Sequence, residues 1–207
     1  MNTMNESKTN SVRNLENLYT TVVALALSLA IYNLIDTTRA TIPFKLELLP
    51  FFAAFLVTII PFYHGALRHL DITYIEKGGK QLRKGALLID FSALFIESCV
   101  FIVLAVLLLT PLFFAWGLVT LLVFDIIWVF IARLGLSQNV QPKVELRWAL
   151  INLIVVVTLS IYLIIFNFVP RAIYVSDLKL SAGILGFSLL RTIIDYACCW
   201  NVYYPSK

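Results

Sequence analysis

Residues 86–134 read ALLIDFSALFIESCVFIVLAVLLLTPLFFAWGLVTLLVFDIIWVFIARL, and Asp90, Glu97, Asp125 and Arg133 are the only charged side chains among them. As a single helix this stretch would be roughly 70 Å long at 1.5 Å per residue. The hydrocarbon core of a bilayer is only about 30 Å thick. Thr110 and Pro111 lie near the middle. Proline has no N–H for the helix ladder, so the stretch reads as two membrane spans joined by a tight helical hairpin.

Four more apolar runs flank this hairpin. The predicted spans cover 18–35, 49–67, 86–109, 112–134, 148–169 and 182–202. The runs are continuous and do not alternate at period two, which favours helices over a membrane barrel. Composition agrees. Of the 207 residues, 60% are hydrophobic and 14% charged, with a mean hydropathy of +0.89. A soluble domain is about 45–50% apolar and about 25% charged, so this chain lacks the polar exterior a water-soluble fold requires. A disordered chain would be poor in Leu, Ile, Val and Phe, and this one is rich in them. Three cysteines make no secreted disulfide framework and read as small buried hydrophobes. The expected fold is an all-α integral membrane protein, a compact bundle of six transmembrane helices. Residues 1–16 form a polar N-terminal segment without the features of a cleaved signal peptide. Residues 17–204 form one transmembrane domain, and 205–207 a short tail. No internal repeat is evident.

Lys and Arg in the loops set the expected orientation. With six spans, eleven of the sixteen fall on the side of the termini and four on the other, with Arg191 inside the last span. Both termini are therefore expected in the cytoplasm, with a bacterial inner membrane as the expected setting.

The informative residues are ionisable ones inside the spans, because each costs about 2.5–3.5 kcal/mol on insertion scales. They are His64, Arg68, Asp90, Glu97, Asp125, Arg191 and Asp195, with Asp71 at the rim. His64, Arg68 and Asp71 fall on one helical face, as do Asp90 and Glu97. Arg191 and Asp195 are four apart and suited to pair along the last span. Depth places Glu97 level with Arg191, which predicts a buried pair. His64, Arg68, Asp90, Asp125 and Asp195 are expected to line a polar, water-accessible cavity open to the cytoplasm. Apolar residues around Phe51, Phe113 and Ile184 should seal its outer end. The acids outnumber the bases, so some acids must be protonated or hydrated. His64 is the expected proton-handling group. An equally physical reading is a set of salt bridges that fixes helix packing.

The longest polar segment, 69–85, carries Lys77, Lys80, Arg83 and Lys84. It reads as a positive-inside loop that contacts anionic lipid headgroups or an acidic partner. Gly78 and Gly79 do not make a nucleotide loop, since no strand precedes them and Gln81 follows Lys80. Trp148, Tyr174, Trp200, Tyr203 and Tyr204 sit at span ends, as an interfacial aromatic belt does. Gly183 and Gly186 allow close helix contact without the four-residue dimer spacing. No hydrolase, metal or haem motif occurs, so no catalytic residue, cofactor or metal is expected. The expected function is non-enzymatic: a small channel, a pore-forming effector, or an ion- or proton-coupled transporter with a cytoplasm-facing polar core. The alternative is a membrane-anchoring or sensing subunit of a bacterial stress or phage-defence system. The expected partners are the lipid bilayer, a cytoplasmic protein and further copies of the chain, with no nucleic acid.

Overall fold

The computed structural model describes residues 2–36, 43–76, 85–135, 142–168 and 177–204. They form six helices: α1 (Asn2–Leu34), α2 (Leu49–Leu70), α3 (Ala86–Leu107), α4 (Pro111–Gly135), α5 (Pro142–Phe168) and α6 (Asp177–Tyr203). No strand forms among the described residues beyond one antiparallel bridge, Ile35 to Phe44. All six helices are long and apolar enough to cross a membrane. Their outward faces are apolar too: Leu88, Phe113 and Ile193 are 66%, 65% and 64% exposed. Such a surface suits lipid rather than water, and it is compatible with a multi-pass membrane protein.

The hairpin expected at Pro111 is present. α3 stops at Leu107, the Thr110 N–H donates to the Leu107 carbonyl at 2.8 Å, and the Thr110 carbonyl accepts from Phe114 at 2.9 Å. Pro111 then takes the first position of α4, where its missing N–H has no intrahelical partner to lose. α3 begins after Gly85, whose φ of +88° is a left-handed conformation that suits glycine alone.

Two boundaries differ from expectation. Residues 2–16 of the polar segment continue the helix of the first span, and Val12 within it is fully buried. Residues 69–76, read as part of a loop, instead prolong α2 through Leu70 and a π-helical turn at Asp71–Glu76. Ile72, Thr73 and Tyr74 of this turn are buried. Tertiary burial holds it against its polar sequence. Lys77, Lys80, Arg83 and Lys84 lie outside the described residues.

α2, α3, α4 and α6 close a central ring, each packing on the next. α1 fills the outer groove between α2 and α3, and α5 that between α4 and α6. α2 and α6 run parallel, since Thr58 meets Ser188, His64 meets Tyr196 and Arg68 meets Val202. α5 and α6 run antiparallel, since Tyr162 meets Lys179 and Arg147 meets Cys198. Gly183 makes room for the Tyr162 ring; a Cβ there would collide with its hydroxyl end. Pro61 inside α2 leaves the Val57 carbonyl without its helical donor. Thr192 of α6 supplies one, its hydroxyl donating to Val57 at 2.8 Å. Neighbouring helices often repair a proline break in a membrane span in this way.

The bundle has an apolar end and a polar end. At the first, Phe51, Leu104, Leu108, Phe114 and Ile184 are at most 1% exposed. Phe51 and Phe114 meet edge to face with centroids 5.9 Å apart. The seal expected around Phe51, Phe113 and Ile184 therefore uses Phe114. Phe113 points outward, because one residue along a helix turns the side chain by about 100°.

Candidate functional site

Each of the six helices contributes a side chain to one buried polar cluster. On α1 the Tyr19 hydroxyl donates to Glu97 Oε1 of α3 at 2.6 Å. On α5 the Asn152 amide bridges two helices: its Nδ2 donates to Asp125 Oδ2 of α4, and its Oδ1 accepts from Arg191 Nε of α6 at 2.7 Å. The Arg191 guanidinium carbon lies 4.3 Å from the centre of the Phe62 ring of α2. A cation over an aromatic face gains electrostatically, and more so where water is scarce. Asp195 Oδ2 accepts from the Tyr203 hydroxyl at 2.8 Å. Glu97, Asp125, Arg191 and Asp195 line one cavity of about 30 Å³, walled also by Phe62, Gly65, Trp128, Trp148 and Tyr203.

A second buried cluster lies at the same end. His69 Nε2 is 3.1 Å from Asp90 Oδ2, which also accepts from the Tyr74 hydroxyl at 2.7 Å. His69 Nδ1 stands 4.0 Å from Glu145 Oε1 of α5. Trp128 meets the imidazole edge to face, centroid to centroid 5.1 Å. Among the described residues five carboxylates are thus buried (Asp90, Glu97, Asp125, Glu145 and Asp195), with one guanidinium and one imidazole, Arg191 and His69. The excess of acids expected from the sequence is larger in the structure. No cluster of three or more His, Cys, Asp or Glu among the described residues is arranged to hold a metal.

Several expected positions are corrected. Glu97 and Arg191 line the same cavity but do not pair directly; Glu97 is held by Tyr19, and Arg191 by Asn152. Arg191 and Asp195 do not pair along α6 either; Arg191 donates to Asn152, and Asp195 Oδ2 accepts from Tyr203. Of the five residues expected around the cavity, Asp125 and Asp195 line it, whereas His64, Arg68 and Asp90 do not. The reason is the phase of α2: Pro61, Phe62, Gly65 and Ala66 face the cavity, and His64 and Arg68 lie on the adjoining stripe. His64 stacks on Tyr203 at 4.6 Å, with Nδ1 3.3 Å from the Tyr196 hydroxyl. Arg68 donates from Nε to the Val202 carbonyl at 2.7 Å and pairs with Glu76. Asp71 is half-buried at the start of the π-helical turn. Asp90 belongs to the His69 cluster. Tyr203 and Trp148, expected at the interface, enter the bundle instead, with Tyr203 only 5% exposed.

The sequence reading missed Tyr19, His69, Tyr74, Glu145 and Asn152. A signal existed for two of them. Glu145 and Asn152 are seven apart on one face of α5, the spacing that singled out Asp90 and Glu97 on α3. Comparison with protein-family models, with curated proteins and with solved structures finds no match to this chain.

Proposed function

We propose that this chain is a multi-pass membrane protein that moves protons, alone or coupled to a small ion, through a polar core open toward the cytoplasm. The observation that carries this reading is the polar cluster around Arg191 to which all six helices contribute, where the carboxylates of Glu97, Asp125 and Asp195 line one cavity with one guanidinium. Ionised carboxylates in such surplus repel one another in a medium of low dielectric, so some must hold protons. Carboxylates that gain and lose protons inside a membrane mark proton relays. The cavity is small, and the opposite end is packed with Phe51, Phe114 and Ile184. Both features favour a coupled transporter over a wide aqueous pore or a pore-forming effector. Lys and Arg asymmetry supports cytoplasmic termini, and an active periplasmic phosphatase fused to the C-terminus would overturn that placement.

Purified protein reconstituted into liposomes carrying an internal pH dye tests the function. Wild type should dissipate an imposed pH gradient, and Asp125→Asn should abolish the flux while leaving folding intact. Flux no greater than that of empty liposomes, from protein that elutes and melts as a folded species, would overturn the proposal. An anchoring or sensing role would give that result.

A further inference from the structure

Seven buried side-chain polar atoms of the described residues lack a hydrogen-bond partner in the protein, and four belong to residues lining the cavity that Glu97, Asp125 and Asp195 share. They are Trp128 Nε1, Trp148 Nε1, Arg191 Nη1 and Asp195 Oδ1, the Trp148 indole and the Cys199 thiol lying beside the Asp195 carboxylate without closing a full hydrogen bond to it. Trp128, Arg191 and Asp195 are 7%, 6% and 3% exposed. An unpaired polar atom costs about 1–3 kcal/mol when buried, and native proteins satisfy nearly all of them. The chemistry of the set limits what satisfies them here. Three are N–H donors, one of them cationic, which disfavours a cation. Three carboxylates, Glu97, Asp125 and Asp195, line the same space, which disfavours an anion. A molecule that both donates and accepts fits both halves. The cavity of about 30 Å³ suits about two water molecules at roughly 10–15 Å³ each.

We infer that this cavity is a binding site for about two fixed waters, held by Trp128, Trp148, Arg191 and Asp195, and that these waters join the carboxylates of Asp125 and Asp195. The transfer role rests on the proton reading above; the hydration does not. A proton leaving Asp125 passes to the first water, which releases one of its own to the second. The second water releases a proton to Asp195 Oδ1. One proton moves, and both waters end as they began. Tyr203, donating to Asp195 Oδ2 and stacked between His64 at 4.6 Å and Trp148 at 6.3 Å, walls the cavity on that side.

Gly65 makes the test clean. A Cβ there would stand 3.6 Å from the Tyr203 hydroxyl and 3.9 Å from Trp148, both ordinary contacts. Gly65→Ala therefore puts a methyl into the cavity wall without displacing neighbours. The full chain, labelled with ¹⁵N-tryptophan, gives four indole N–H signals to assign. The Trp128 indole should show magnetisation transfer from water in wild type. In Gly65→Ala it should lose that transfer while the melting temperature is held or raised, and proton flux in liposomes should fall several-fold. No water contact at Trp128 in wild type would overturn the site. Loss of the contact with unchanged flux would overturn the transfer role. Water contact in wild type without any flux would keep the site and reject the proton reading.

Discussion

The two ends of the bundle are built from the same six helices by different means. Around Phe51, Leu104, Leu108 and Phe114 the helices meet through fully buried apolar side chains. Around Arg191 they meet through hydrogen bonds: Tyr19 to Glu97, Asn152 to both Asp125 and Arg191, and Tyr203 to Asp195. Lipid is as apolar as leucine, so packing at the first end gains mostly dispersion, not release from water. At the second end, separated helices would expose charge to hydrocarbon. The polar end therefore specifies which helix meets which, and the apolar end makes the fit close. The contrast also separates roles. The apolar end has little to titrate, whereas the polar end holds more acids than it can neutralise.

The largest test of this contrast removes the centre of the network. Arg191→Leu should cost about 3–5 kcal/mol, because Asp125 and the Asn152 carbonyl lose the charge that balances them. Thermal melting in detergent measures it. Adding Asp125→Asn should recover part of the loss, since the two act through Asn152. Adding Glu97→Gln should recover less than Asp125→Asn does, because Glu97 shares the cavity with Arg191 but does not touch it. A wild-type melt for Arg191→Leu would erase the distinction between the ends.

At the apolar end Phe114→Ala should cost about 3 kcal/mol, the low end for truncating a buried Phe, since lipid solvates the separated helices well. Its neighbour Phe113, 65% exposed, should change stability by no more than about 0.5 kcal/mol on the same substitution. Equal losses at both positions would contradict the helical phase of α4.

Paired glycine substitutions give the smallest effects. At the apolar end a Cβ on Gly117 would come 2.7 Å from Leu104 Cδ2 and 3.2 Å from Leu107 Cδ1. Leu104 is fully buried and has nowhere to retreat, so Gly117→Ala should cost about 1–3 kcal/mol through overpacking. At the polar end Gly65→Ala has room and should be neutral or stabilising by up to about 1 kcal/mol, as glycine weakens a helix interior. A reversed order in the two melting shifts would show that the polar end is the tighter one.

Pattern and composition by themselves determined the six helices, their approximate limits and the hairpin at Pro111. A helix needs a long apolar run and a proline or polar break to end it, and both are local properties of the chain. The same local rules marked Asp90, Glu97, Asp125, Arg191 and Asp195 as buried, since a charge inside an apolar run has no other place to go. Pairing was not legible, because depth along a helix is a sum of residues whereas a contact also depends on rotation and on which helices are neighbours. Glu97 and Arg191 sit at matching depths, yet Tyr19 and Asn152 reach them first. His69 and Tyr74 were read as loop because the residues that follow them are polar. Only packing on α1 and the bond from Tyr74 to Asp90 of α3 hold that turn helical, and the prolonged α2 brings His69 between Asp90 and Glu145. What the tertiary structure alone decided is therefore the order of helices around the ring, the phase of each, and so the partners of every buried charge. Those depend on side chains far apart in sequence fitting one another in space.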